Sequence, residues 1–198
     1  RGYFKSEQIR QCDAAGITFI GPSPETLALF GDKTRARELA RSLGIPVVDG
    51  TGPLASLEEA RAEAQRLGYP VMLKAAAGGG GRGMRAVEEP AGLDEAYERC
   101  RSEAQAAFGD GTVFLEQLVA RPRHIEVQLL ADTTGAVIHL WERDCSVQLR
   151  NQKVVEIAPA PGLDAVLRGR ILNDAVALVS GGGYRNAGTV EFLVEPES

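Results

Sequence analysis

The sequence predicts an α+β protein, and three patterns along its 198 residues support that class. Helix-capping residues recur before residue 110, where helical segments alternate with short apolar runs. A glycine-rich stretch over 78–83 lies between two extended runs and is not followed by a helical pattern. After Gly111 the chain changes to strands, and the polar stretch 132–135 predicts a hairpin turn. We therefore expect a small α+β lobe followed by an antiparallel sheet that is incomplete at its end.

Caps and breakers predict six helices, and apolar periodicity predicts the strands between them. Ser23 followed by Pro24 is typical of a helix start, and Ser56 with Glu59 forms a capping box. The predicted helices cover 6–15, the stretch after 24, 33–43, 56–67, the stretch after 90, and 164–180. The predicted strands cover 17–20, 71–74, 84–87, 113–119, 125–129, 136–141 and 189–194. The expected division is a first lobe with linker helices at 1–46, a middle lobe at 47–118 and a third part at 119–198.

The composition argues against several classes of partner. A net charge of −5 at pH 7 disfavours nucleic acid and acidic membrane surfaces. No apolar run approaches the roughly 20 residues that a membrane span needs. Three cysteines without metal-type spacing predict reduced thiols and a cytoplasmic location. The start at Arg1, and a last strand without a return partner, predict that the chain is a fragment of a longer protein.

The glycine-rich stretch predicts a phosphate-binding loop. Five of its six residues are glycine, which costs roughly 0.5–1 kcal/mol per residue relative to alanine. Bare amide groups can converge on the oxygens of a polyphosphate, and Lys74 and Arg82 add positive charge beside the loop. No Gly-Lys-Ser or Gly-Lys-Thr triplet follows, so the pattern indicates a flap between two strands and not a Walker loop. The alternative is a flexible glycine linker.

Carboxylates interrupt strands that are otherwise apolar. Glu191 lies inside the run 189–194, and a dense mixed-charge segment covers 142–156. A buried carboxylate is costly unless it is paired or binds a cation, so Glu191 is a candidate magnesium ligand. The alternative is that Glu191 points to solvent, as the two-residue period of a strand allows.

These residues resemble the ATP-grasp biotin carboxylases, and the resemblance covers essentially the whole chain. The motifs that carry it lie, in order, at 19–22, 31–33, 72–85, 122–126, 142–148, 152–156, 158–161 and 188–193. The resemblance implies an ATP-grasp fold consisting of a lid lobe and partial flanking lobes. It also implies a reaction in which ATP phosphorylates bicarbonate and the carboxyphosphate carboxylates biotin on a carrier. A biotin carrier, a carboxyltransferase component, and a homodimer or larger assembly are the partners implied for the complete protein.

The resemblance also implies roles for individual residues. Lys153 is implied as the catalytic residue that helps to hold bicarbonate, and Glu191 as the first of two glutamates that bind Mg²⁺ or Mn²⁺. Lys74 and the flap glycines are implied to contact the phosphates, and 116–119 to read adenine mostly through the backbone. The implied nucleotide-binding residues are Lys33, Lys74, Gly80, Gly81, Met84, Glu116, Gln117, Leu118, Val119, His124, Gln148, Asn151 and Glu191.

Two neighbouring groups are expected to have structural roles. Arg143 and Asp144 are expected to form an ion pair and not to take part in chemistry. Cys145 is expected to be packed in the core, because no adjacent histidine lowers its pKa.

The chain also departs from the family pattern. Gln117 stands where lysine or arginine is common, Leu149 where arginine is usual, and Asn151 where histidine is common. The second metal-binding glutamate and the residues that act on biotin would follow the last residue of this chain. Two other functions therefore stay open: another ATP-grasp ligase such as a carbamoyl-phosphate synthetase subunit, or a nucleotide-binding fragment without turnover.

Overall fold

The structure is a computed structural model that describes residues 6–77, 83–149 and 152–195. The side chains of Ser6 and Lys33 lie outside this description. The chain divides into two compact units. The first combines the residues up to Val47 with 122–147 and the residues from Lys153 onward, and the second combines 48–121 with 148–152.

The first unit begins with three short helices. They are α1 (Ser6–Ala14), α2 (Pro24–Gly31) and α3 (Lys33–Ser42). Ser23 caps α2 by accepting a hydrogen bond from the Thr26 N–H at 3.2 Å. Asp32 caps α3, because its Oδ1 accepts from the N–H groups of residues 34 and 35 at 3.0 and 3.2 Å. These caps confirm the predicted helix starts.

The predicted strand at 17–20 is wrong. No strand is assigned over these described residues, and Ile17 and Ile20 are 59% and 84% exposed. The Ile17 N–H donates to the carbonyl of Cys12 at 2.9 Å, so the backbone closes the end of α1 and does not enter a sheet. An apolar run of four residues was not sufficient evidence for a strand.

The second unit is a three-stranded sheet covered by two helices. Its elements are α4 (Leu57–Leu67), β1 (Val71–Ala75), β2 (Met84–Val87), α5 (Leu93–Phe108) and β3 (Val113–Gln117). The strand order is β2-β1-β3 and both pairings are antiparallel. Leu73, Tyr97 and Leu115 are among the buried residues of its core. The strand–glycine loop–strand prediction is confirmed for the two strands, whereas residues 78–82 of the loop lie outside the description.

Apart from the strand ends at 148, 149 and 152, the first unit continues with a four-stranded sheet and one long helix. Its elements are β4 (Arg123–Ala131), β5 (Val137–Leu149), β6 (Gln152–Ile157), α6 (Ala165–Gly181) and β7 (Asn186–Val194), in the sheet order β6-β5-β4-β7. Asp132 builds the predicted turn between β4 and β5 by accepting from the N–H groups of residues 134 and 136. Alternate β4 residues, Ile125, Val127 and Leu129, pack in one core with residues of α6. The other face of β4 carries His124, Glu126 and Gln128.

Candidate functional site

A lysine and a glutamate predicted to bind nucleotide meet in the second unit. Lys74 lies on β1 and Glu116 on β3, and Lys74 Nζ donates to Glu116 Oε2. Their side chains are 23% and 14% exposed, so the ion pair is largely shielded from water. Met84, on β2, is paired with Lys74 across the sheet and is 40% exposed. Three of the predicted residues are thus brought to one part of this sheet.

The end of the glycine loop is tied to the same sheet through Gly83. The Gly83 carbonyl accepts the Ala75 N–H at 2.8 Å and the Cys100 thiol at 3.1 Å. Gly83 has φ of +69°, and a β carbon there would stand 2.7 Å from Ala75 Cβ. Only glycine combines this conformation with such a close approach. Gly80 and Gly81, which were predicted to contact phosphate, lie outside the described residues.

The predicted adenine segment lies at the end of β3. The N–H groups of Gln117 and Leu118 already donate to the carbonyls of Asp49 and Pro70, at 2.8 and 3.1 Å. Recognition of a base by this backbone would therefore involve other groups of the segment, such as those of Val119. The Gln117 side chain is exposed.

A second charged cluster lies on the polar face of the sheet in the first unit. Its centre is Glu126 on β4, which is 7% exposed. Glu126 Oε1 accepts from Arg143 Nη2, and Glu126 Oε2 accepts from Lys153 Nζ. Lys153, the predicted catalytic lysine, is therefore held by a buried carboxylate that also carries a second cation.

The pKa values in this cluster shift as mutual pairing requires. Burial acts to raise the pKa of Glu126, but the hydrogen bonds and charges of Lys153 and Arg143 outweigh it and lower that pKa. Burial likewise acts to lower the pKa of Lys153, yet the Glu126 hydrogen bond and the charges of Glu191 and Glu126 raise it. The pKa of Arg143 is raised in the same way, mainly by Glu126 against the effect of burial. All three groups are therefore charged at neutral pH.

Glu191 borders this cluster from β7. It is paired with Glu126 across the sheet, and its side chain is 44% exposed. Its Oε1 lies 3.4 Å from His124 Nδ1 and 3.5 Å from Lys153 Nζ. The Glu191 carboxylate is therefore open to solvent, as the alternative interpretation expected, and its role as a magnesium ligand stays a prediction. Four predicted residues or their partners thus share this face: Glu126, Glu191, His124 and Lys153.

A cluster of three potential metal ligands near this face is not suited to hold a metal ion. Ligand atoms of Glu126, Cys145 and Glu156 lie within 4.8 Å of one another. Both Glu126 oxygens, however, already accept from cationic side chains. Cys145 is buried and in no disulfide, and burial is the main cause that raises the pKa of its thiol. The prediction that Cys145 is packed and not activated is confirmed.

The predicted ion pair between Arg143 and Asp144 is wrong. Asp144 pairs with Arg123 at 2.8 Å, while Arg143 pairs with Glu126. Consecutive residues of a strand point to opposite faces, so neighbours on β5 cannot pair with each other.

The remaining predicted residues are only partly described. Gln148 is half-buried near the end of β5. Asn151 lies outside the described residues, and Lys33 begins α3 with its side chain outside the description.

Sequence reasoning missed Glu126 and Arg143 as site residues. A signal was present, because His124, Glu126 and Gln128 alternate with apolar residues along β4. That alternation indicates a polar face, but it does not say which residue of another strand lies opposite. The pairing of Glu126 with Arg143 depends on the register between β4 and β5.

Comparison with known proteins assigns this fold to the ATP-grasp class. The chain belongs to the family described as the ATP-binding domain of the carbamoyl-phosphate synthase L chain, which matches residues 32–198. Curated relatives are more specific. Pyruvate carboxylase 1 of Caenorhabditis elegans is 56% identical over 192 residues, which is 96% of this chain and 16% of the relative. Pyruvate carboxylase of Aspergillus niger is 54% identical over 194 residues, or 98% of this chain and 16% of the relative.

Solved structures confirm the fold. A biotin carboxylase from Campylobacter jejuni, crystallised as a β-γ-ATP complex, matches with a TM-score of 0.93 and 47% identity, over 98% of this chain and 44% of its own. The biotin carboxylase domain dimer of the Hydrogenobacter thermophilus 2-oxoglutarate carboxylase matches with a TM-score of 0.91 and 46% identity, over 96% and 42%. That structure contains MgADP, ADP and bicarbonate. The α+β class, the ATP-grasp fold and the resemblance to biotin carboxylases are therefore confirmed.

The chain spans about one sixth of the curated relatives and less than half of the solved chains. Among the described helices, none is both long and apolar enough to cross a membrane.

Proposed function

We propose that this chain is the ATP-binding part of a biotin carboxylase. In the complete protein, ATP phosphorylates bicarbonate, and the carboxyphosphate then carboxylates biotin on a carrier. The observation that carries the proposal is the position of Lys153 Nζ, 3.5 Å from the half-exposed Glu191 and held by the buried Glu126. A fixed ammonium group beside an accessible carboxylate suits a reaction that needs both an anion and a divalent cation in place.

The residue roles follow from resemblance and from local chemistry. Lys153 is proposed to hold bicarbonate, and Lys74 to contact the nucleotide phosphates. The complete set proposed for nucleotide is Lys33, Lys74, Gly80, Gly81, Met84, Glu116, Gln117, Leu118, Val119, His124, Gln148, Asn151 and Glu191. Phosphoryl transfer requires positioning and charge neutralisation more than covalent chemistry, and lysines and backbone amides provide both.

Glu191 fits a magnesium ligand by its donor and its exposure. Mg²⁺ prefers oxygen ligands and usually keeps water and phosphate oxygens in its shell, so one accessible carboxylate is a suitable protein contribution. The ion would neutralise charge on the phosphates. The adjacent Lys153 would then face an anion.

The second candidate function is carbamoyl-phosphate synthesis, which the family description names. The relatives favour the first, because pyruvate carboxylases are 53–56% identical over at least 96% of the chain. For the complete protein we propose a biotin carrier, a carboxyltransferase component that selects the carboxyl acceptor, and a dimeric or larger assembly. A cytoplasmic location is proposed from the three cysteines, none of which forms a disulfide.

The test uses the protein encoded by the full-length gene and measures two activities. We expect bicarbonate-dependent ATP hydrolysis that free biotin stimulates, and no carbamoyl phosphate from an ammonia donor. Lys153→Met should abolish the stimulation. Arg170→Met should retain it, because Arg170 is an exposed residue of α6 whose ion pair, with Asp174 at 3.9 Å, lies within that helix. Carbamoyl phosphate formation, or unchanged activity of the Lys153→Met variant, would reject the proposal.

A simpler test uses the 198-residue chain with ATP. A ligand at 100 times its Kd stabilises a protein by about 2.7 kcal/mol. A rise in melting temperature with ATP that Lys74→Met removes would support nucleotide binding. No carboxybiotin is expected from the chain alone, because it spans less than half of the solved biotin carboxylase chains that it matches.

A further inference from the structure

We propose that Glu126 is the positioning residue for Lys153: it anchors the ammonium group, so that Glu191 is free to exchange Lys153 for a divalent cation. This inference rests on the proposed function and deepens it. It is based on the position of Lys153 beside two carboxylates that differ in burial, Glu126 and Glu191. Glu126 was absent from the residues predicted for the site.

The two carboxylates beside Lys153 are not equivalent. The Glu126 side chain is 10% exposed and hydrogen-bonded to Lys153 Nζ, whereas the Glu191 side chain is 44% exposed and lies 3.5 Å from it. Interactions of a buried charge are screened less by water than those of an exposed one. Glu126 is therefore the stronger of the two partners, and Glu191 the one that a solvent ion can reach.

Arg143 keeps the Glu126 carboxylate in place from the other side. Its Nη2 donates to Glu126 Oε1, and its Nη1 donates to Gln128 Oε1 at 3.2 Å. Its Nε lies 3.1 Å from Glu156 Oε2 without hydrogen-bond geometry. Because both Glu126 oxygens are engaged and Arg143 has further partners, Glu126 cannot turn toward an ion without losing several contacts.

This asymmetry has a consequence for the proposed reaction. A divalent cation held by Glu191 would compete with Lys153 for that carboxylate and would repel the ammonium group. Glu126 opposes that repulsion and holds Lys153 at the same place. Lys153 would then keep its position, and the N–H donors that it does not give to Glu126 would be available to an anion.

The first test measures the order of the Lys153 ammonium group in the 198-residue chain by ¹⁵N NMR of labelled lysines. The sequence has only four lysines, at positions 5, 33, 74 and 153, and Lys153→Arg assigns the signal. We expect a restrained Lys153 signal in the wild type and in Glu191→Gln, and a mobile one in Glu126→Gln. Glu156→Gln is the matched control, since Glu156 contacts Arg143 and is one step further from Lys153.

The second test uses the full-length gene product and separates KM from kcat. Glu126→Gln should raise the KM for bicarbonate on the order of tenfold, a factor that corresponds to about 1.4 kcal/mol. The KM for ATP should stay within about twofold, and Glu156→Gln should leave both constants near wild type. Should Glu126→Gln unfold, Glu126→Asp keeps the buried charge and withdraws the carboxylate by one methylene, and it should give a smaller effect in the same direction.

The outcomes separate the two proposals. A Lys153 signal that stays restrained in Glu126→Gln and becomes mobile in Glu191→Gln overturns the role of Glu126, as does an equal rise of both KM values. A wild-type protein without bicarbonate-dependent ATP hydrolysis overturns the proposed function instead, and the NMR result then stands on its own.

Discussion

Replacing Gly83 by alanine should loosen the attachment of the glycine loop, and the size of the effect can be worked from the structure. Two costs add at this position. A residue with a β carbon at φ of +69° pays about 1 kcal/mol after the gain from a less flexible unfolded chain is subtracted. The new methyl group would also stand 2.7 Å from Ala75 Cβ, and such overpacking typically costs about 1–3 kcal/mol. We expect a total of about 2–4 kcal/mol.

Gly109→Ala is the matched control for the first cost. Gly109 ends α5 with φ of +75°, and a β carbon there would meet nothing within 4 Å. This variant should lose only about 1 kcal/mol. The second cost is isolated by adding Ala75→Gly to Gly83→Ala, because the contact between the two β carbons then disappears. The double variant should regain the overpacking cost of about 1–3 kcal/mol less the roughly 0.5–1 kcal/mol that glycine costs in a strand, a net gain of about 0.5–2 kcal/mol.

The assay is hydrogen–deuterium exchange of amides in β1 and α5, which reports on this unit separately. Urea unfolding followed by circular dichroism measures the free energy of unfolding and should rank the variants in the same order. Equal losses in Gly83→Ala and Gly109→Ala, or no recovery in the double variant, would refute the reasoning. A weaker ATP affinity in Gly83→Ala than in Gly109→Ala would connect the attachment to the proposed function.

Three further predictions concern charged groups. Arg168→Met should destabilise the first unit by about 3 kcal/mol, because Glu142 is fully buried and loses the Arg168 Nε donor at 2.9 Å. Adding Glu142→Leu should restore most of the lost stability. Urea unfolding followed by Trp141 fluorescence measures both effects. The folded-state pKa of Glu126 lies below its ordinary value of 4.5, so its stabilising effect is present above that pH and is lost as the pH falls. The free energy of unfolding of Glu126→Gln should therefore fall less steeply at acid pH than that of the wild type. Equal slopes for the two proteins would contradict this. Lys74→Met should raise the Kd for ATP on the order of tenfold or more by calorimetry, since hydrogen bonds to charged groups contribute about 1.5–3 kcal/mol; an unchanged Kd would remove this lysine from the site.

Much of the fold was predictable because its signals are local. The side chains of Ser23, Asp32 and Ser56 accept hydrogen bonds from backbone N–H groups two or three residues later. A short segment of sequence is therefore enough to predict where each of these helices begins. The hairpin at Asp132 is local for the same reason. The strand predicted at 17–20 failed because an apolar run becomes a strand only if a distant segment pairs with it, and no local feature reports that partner. The three-part division at 46 and 118 stays a prediction.

For the candidate site, the sequence alone determined which residue types are available and where motifs place them: the glycine stretch before β2, Lys74, Lys153 and Glu191. Only the tertiary structure decided which charges meet. Glu126 and Lys153 are 27 residues apart in sequence, and Lys74 and Glu116 are 42 apart. Their pairing depends on strand order and register, and a shift of one residue would turn each side chain to the opposite face. Local chemistry therefore specifies the helices and turns, whereas the electrostatics of the site arise from contacts that exist only once the sheets have formed.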